Sequence, residues 1–391
     1  MKTISFCLIF LLLLTACAAT DLKPVTDETF AFREDEKRLW LRSQEEQAFL
    51  NQSGLLYDDP QVEAYLNQIA TQLQPPEVYR HIPIKVRILR DAYLNAFAYP
   101  NGVIYVHTGI IARAENEAQM ATLLAHEMTH CTHRHAAKNF RAVKNNTAFL
   151  AAFQTTVGGI GGGIGSLANV LGSLGTIAAT TGYSRELETE ADMVGFRLIA
   201  NAGYDPREAP KLFVHLKEEL SEENIKEPYF FGSHPQLDAR IANYEALIDN
   251  DRFETFGDTK NAAIFQEKIK RVILDNAVLD IKLGRFEHAQ RGIEKYLALV
   301  PEDAAAYFYL GEAFNQRGGD EDIQHSIRNY EKSIALDPAS AQAYRKLGLA
   351  YYKNGENFQA SKYLRKYLTY SPQAADRKFI EYYLEQIDTS K

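Results

Sequence analysis

His126-Glu127-Met128-Thr129-His130 decides how this chain is read: two histidines stand four residues apart around a glutamate, inside an apolar helical pattern. On a helix, positions i and i+4 share a face, so both imidazoles can reach one ion while Glu127 stands beside them without ligating. Zinc favours a tetrahedral set in which three protein ligands leave one position for a water, whose pKa falls to ~7. Glu127 can take a proton from that water and later deliver it to a leaving amine. So short a motif fixes little by itself, and the chain must supply a third ligand.

Metzincins place a glycine three positions after the second histidine and a histidine six positions after it, but His133 and Ala136 stand there. The better completion is downstream, in Ser184-Arg185-Glu186-Leu187-Glu188-Thr189-Glu190-Ala191-Asp192, where Glu188 and Asp192 share one helical face. Glu188 can offer a carboxylate oxygen to the metal. Asp192 can accept the outer N–H of a ligating imidazole, His126 being the expected one, and fix its tautomer. The donor set suits zinc, although other first-row metals accept it too. The spacing predicts one helix from about Asn116 to Asn139, with Met120, Leu123, Leu124, Met128 and Cys131 on its apolar side. His133 and His135, followed by Lys138 and Arg141, are expected at a solvated, basic helix end.

Upstream, Phe49, Leu55, Leu56, Val62, Tyr65, Leu66 and Ile69 recur at helical spacing around a break near Asp58-Asp59-Pro60. Ile84, Val86 and Ile88 then alternate, and Val103-Ile104-Tyr105-Val106 follows the turn signal Pro100-Asn101-Gly102, which predicts a small β-sheet. No charge occurs from Asn145 to Ser184, and glycines cluster between Gly158 and Gly165. Length alone would allow a membrane span there, but the glycine content favours a cap over the site.

The last third repeats with a period of about 34 residues. Tyr344, Leu347, Gly348, Tyr351, Ala360, Leu364 and Pro372 hold the large, small and helix-ending positions of a tetratricopeptide repeat. Tyr307, Leu310, Gly311, Phe314, Tyr330 and Pro338 form the preceding copy, and Ala289, Ile293, Tyr296 and Pro301 a weaker one. Such pairs stack because neither helix can bury its apolar face alone, and the stack leaves a groove suited to peptides.

The chain has 391 residues and a net charge of -8, which predicts two domains and argues against a nucleic-acid-binding face. At the N-terminus, Lys2, the apolar run Leu8 to Leu14 and Thr15-Ala16-Cys17 are expected to form a signal peptide, residues 1–16, with a lipidated Cys17. Ala18 after that cysteine points to the outer membrane, facing the periplasm. Residues 17–34 are expected to be a tether. With Cys7 removed and Cys17 acylated, Cys131 is left alone, so an intrachain disulfide is not expected.

The helix motif paired with Ser-Arg-x-x-Glu-x-x-Ala-Asp and followed by tetratricopeptide repeats resembles the periplasmic beta-barrel assembly-enhancing protease family, related to HtpX and the CAAX prenyl endopeptidases. The resemblance runs from about Gln44 to the C-terminus. It implies a predominantly α-helical α+β fold, a zincin-like (gluzincin) domain over residues 35–252 with a small sheet, and an α-solenoid over 262–391. It also implies one zinc ion held by His126, His130 and Glu188, with Glu127 as base and Asp192 behind a ligand. Asn95, Ala96 and Phe97 match the family's substrate-binding edge strand. Ser233-His234-Pro235 matches a loop whose histidine can approach the zinc and hold the enzyme inactive. Arg240, behind it, is left with two roles, oxyanion stabiliser or partner of a carboxylate. The implied activity is endoproteolysis of misfolded or stalled outer-membrane proteins, with the barrel assembly machinery as a further partner. The competing expectation is a lipid-anchored chaperone or assembly factor whose zinc site is structural or held closed.

Overall fold

The computed structural model describes residues 22–75, 78–144, 183–222, 237–250 and 257–389. Within them the chain divides into two compact units, Met1–Ile110 with Ala114–Phe265 and Ile111–Arg113 with Gln266–Lys391.

The first unit opens with α1 (Glu34–Gln52) and α2 (Pro60–Leu73). The expected break between them is where the sequence puts it: Asp59 caps α2, its carboxylate accepting from the amides of Gln61 and Val62, and Pro60 occupies the first turn. Three strands follow, β1 (Lys85–Leu89), β2 (Ala96–Ala98) and β3 (Val103–His107). Their order is β1-β3-β2, with β1 parallel and β2 antiparallel to β3, so β2 is an outer strand among the described residues. Gly102, at φ 90°, closes the β2–β3 turn, where a Cβ would stand 2.7 Å from the carbonyl oxygen of Pro83.

After α3 (Thr108–Arg113) comes α4 (Glu117–Thr132), in which every residue is buried. Asn116 caps it, accepting from the amide of Gln119 at 3.0 Å. Glu117 fixes its first turn through hydrogen bonds from Tyr65, from Tyr204 at 2.7 Å and from Asn261 at 2.8 Å. α4 packs against β2 and against α6 (Arg185–Asn201), which Ser184 caps. α7 (Glu208–Glu222) and α8 (Leu237–Asn250) follow among the described residues of the unit.

Two expectations need correction. The single helix to Asn139 is broken: α4 ends at Thr132, and α5 (His135–Lys144) starts after Arg134, which adopts φ 61°. That left-handed turn is held by the Arg134 side chain, which donates to Glu36 at 2.6 Å and to the carbonyls of Lys23 and Ala31 at 2.9 and 3.2 Å, with its guanidinium over Phe30. The second correction concerns the tether. Leu22 and Val25 are buried, and the Val25 amide donates to the Thr132 carbonyl at 2.9 Å, so the described part of that stretch is packed on the domain.

In the second unit α9 (Ala262–Lys282) leads into α10 (Phe286–Leu299), α11 (Ala304–Arg317), α12 (Asp322–Leu336), α13 (Ala341–Lys353), α14 (Asn357–Tyr370) and α15 (Arg377–Thr389). From α10 onward, consecutive helices pack on one another. The small positions of the repeats are steric requirements: a Cβ on Gly311 would meet the Tyr330 ring at 2.6 Å, and one on Gly348 would meet Leu364 at 2.7 Å.

Candidate metal centre

Nε2 of His126 and Nε2 of His130, one helical turn apart on α4, lie 2.9 Å from each other. Glu188, on α6, brings one carboxylate oxygen to 3.4 Å from the first and the other to 3.5 Å from the second. All three side chains are buried, and one ligand atom from each falls within 4.8 Å of the others. Two imidazole nitrogens and a carboxylate crowded together away from water suit a divalent cation, because without one the facing lone pairs and the buried anion lack a common charge. The residues therefore fit the metal that the sequence implies.

The pairing works because α4 and α6 come very close. Gly195 on α6 leaves room for the α4 backbone, where an added Cβ would lie 3.3 Å from the His126 amide nitrogen. Glu127, 1% exposed, occupies the position next to His126.

Asp192 has its Oδ1 3.0 Å from Nδ1 of His126. Arg240 from α8 donates to that carboxylate from Nη2 at 2.7 Å and from Nε at 3.1 Å, so of its two expected roles the structure exhibits the pairing with a carboxylate. Arg240 Nη2 also lies 2.8 Å from His126 Nδ1. A metal ligand at Nε2 keeps its proton on Nδ1, which selects Asp192 as that proton's acceptor and leaves the Arg240 N–H groups to Asp192. Burial raises the Asp192 pKa, but the Arg240 charge and the His126 hydrogen bond outweigh it and hold the group below the usual carboxylate range.

His135 is not at a solvated helix end as expected. It is fully buried, with Nδ1 2.8 Å from Nδ1 of His130 and Nε2 3.1 Å from Oε2 of Glu190. His133 is half-buried, and desolvation pushes its pKa down to about 4. The hydrogen bond from His135 lowers the Glu190 carboxyl to about 2. Tyr183 stacks on the His130 ring, centroids 4.0 Å apart and planes at 14°. Sequence spacing gave no sign of the Tyr183 contact. For Glu190 a signal existed, since it lies between the two carboxylates already singled out.

Among the positions expected to bind substrate, Asn95 immediately precedes β2 and is buried, and its carbonyl accepts from the His107 amide at 3.0 Å. The Phe97 side chain belongs to the core, stacked on Tyr105 at 5.5 Å, and its neighbours Ala96 and Ala98 are buried as well. His234 and Cys17 lie outside the described residues, as does all but the end of the glycine-rich segment.

Residues 58–248 match the model of Peptidase family M48, and residues 274–322 and 321–355 match tetratricopeptide repeat models. The chain is 27% identical over 191 residues to the putative beta-barrel assembly-enhancing protease of Vibrio cholerae, a match covering 48% of this chain and 39% of the relative. It is 26% identical over 202 residues to the beta-barrel assembly-enhancing protease of Escherichia coli O157:H7, covering 50% and 40%. The mitochondrial metalloendopeptidase OMA1 of Schizosaccharomyces pombe is 31% identical over 167 residues, covering 42% and 46%. The match thus spans about two fifths of the length of the barrel-assembly relatives. The segment that matches the model of Peptidase family M48 contains the histidine–histidine–glutamate cluster, and the tetratricopeptide repeat matches follow it.

Proposed function

We propose that this chain is a zinc-dependent endopeptidase of the bacterial cell envelope that acts on misfolded or stalled outer-membrane proteins. The observation that supports it is the convergence of His126, His130 and Glu188 with Glu127 one position from the first histidine. In this reading the three converging residues hold one zinc ion, which when bound supplies Lewis acidity to a water and to the scissile carbonyl. Glu127 accepts the proton of the attacking water and returns it to the leaving amine. Asp192 holds the His126 proton on Nδ1, and Arg240 holds Asp192. Extended substrate adds to β2 through backbone hydrogen bonds, in line with Asn95, Ala96 and Phe97 lying at an outer strand beside α4.

The peptidase domain is assigned to residues 35–252 and the repeat domain, which receives unfolded clients, to 262–391. Contact with the barrel assembly machinery is in line with the names of the relatives, and a periplasmic, outer-membrane location with the sequence around Cys17. Among the described residues no helix is long and apolar enough to cross a membrane. The assignment of His234 as a removable inhibitory ligand rests on sequence alone.

The test is digestion of casein or an unfolded porin by wild type and Glu127→Gln, with a chelator control. Cleavage should fall by roughly 10²- to 10⁴-fold in the variant. Rescue of a client by Glu127→Gln without cleavage would instead support the chaperone reading.

A further inference from the structure

His135 touches the metal cluster, yet the mechanism above makes no use of it. In an unbroken helix it would stand five positions after His130 and face elsewhere. The turn at Arg134 brings it back, so that the two Nδ1 atoms lie 2.8 Å apart. On its far side Nε2 lies 3.1 Å from Oε2 of Glu190, and Lys138 Nζ lies 3.3 Å from the same oxygen.

One arrangement of protons satisfies every member. When His130 gives Nε2 to a cation, its ring proton stays on Nδ1 and must be donated. His135 accepts it at Nδ1, which leaves the His135 proton on Nε2, where the Glu190 carboxylate accepts it. Lys138 balances that carboxylate. We propose that His135 and Glu190 are positioning residues that set the tautomer and ring orientation of His130 through a two-link chain, the counterpart of the single link from Asp192 to His126. The idea rests on the metal reading above. It also gives a purpose to the broken helix: the ion pair of Arg134 with Glu36 keeps His135 at the cluster.

The experiment measures zinc affinity of the purified full chain by competition with a chromophoric chelator, together with the cobalt(II) absorption spectrum. His135→Phe should bind zinc roughly ten- to a hundredfold more weakly than wild type, and Glu190→Ala should weaken it in the same direction. His135→Asn can place its carboxamide oxygen where Nδ1 stood. It should keep near-wild-type affinity and be indifferent to a second change, Glu190→Ala. Thermal unfolding of the metal-free forms shows which variants fold, and if His135→Phe does not, the His135→Asn and Glu190→Ala pair decides. Unchanged affinity in His135→Phe or Glu190→Ala overturns the proposal, as does an equal loss from Glu190→Ala in the wild-type and His135→Asn backgrounds. A wild-type chain that binds no zinc would sink the metal reading itself, which is a different result.

Discussion

Arg240 and Asp192 form a salt bridge of 2.7 Å with both side chains shielded from water, at 2% and 0% exposure. A buried pair of this kind contributes little over a well-packed apolar pair, but removing one partner strands the other charge. Arg240→Ala should therefore destabilise the first unit by about 3–5 kcal/mol in urea unfolding. A change under about 1 kcal/mol would mean that water or another cation replaces the guanidinium.

Metal removal should act on stability as well as on activity, because the cluster draws its donors from two helices. At a zinc concentration a hundredfold above the dissociation constant, the folded state gains about 2.7 kcal/mol. The wild-type unfolding midpoint should rise with zinc and fall back with chelator. Glu188→Ala should respond far less, and an equal response in that variant would place the ion elsewhere.

Glu208 predicts a pH dependence at the start of α4. Its burial raises the pKa, but hydrogen bonds from Lys211, Lys260 and Asn116 outweigh this and lower the carboxyl to about 2. A folded-state pKa below the unfolded value means the stabilisation is fully present above the unfolded pKa near 4.5 and is lost as pH falls toward 2. Allowing for screening at the half-exposed lysines, wild type should lose about 1–2 kcal/mol more than Glu208→Gln between pH 5 and pH 2.5. Parallel stability curves for the two proteins would contradict this.

In the repeats, Gly348→Ala would push a methyl group to 2.7 Å from Leu364 Cδ2 and 3.0 Å from its backbone nitrogen. Overpacking of this kind costs about 1–3 kcal/mol. Calorimetry should show the loss in the transition of the repeat unit, with zinc affinity unchanged. A coupled loss of zinc would show that the units unfold together.

The two halves of the cluster were legible because each is local. A helix puts His126 beside His130 and Glu188 beside Asp192 whatever the rest of the chain does, and the repeats announced themselves by period. What spacing could not reveal depends on distant partners. Arg134 carries no turn signal such as Gly or Asn, and its left-handed backbone is held by Glu36, 98 residues earlier, so the helix was expected to run on and His135 to face water. Leu22 and Val25 looked like parts of a polar tether because their burial depends on the surface offered by that same break.

Helix α6 supplies Glu188, Glu190 and Asp192, and at Gly195 it lies almost in backbone contact with α4. A slide of one residue along its axis, about 1.5 Å, would loosen every one of those links together. A bound ion would then work as a rivet through two rods, and by reciprocity whatever tugs on α6 changes how tightly the rivet holds. Occupancy of the site could serve as a strain gauge for that helix.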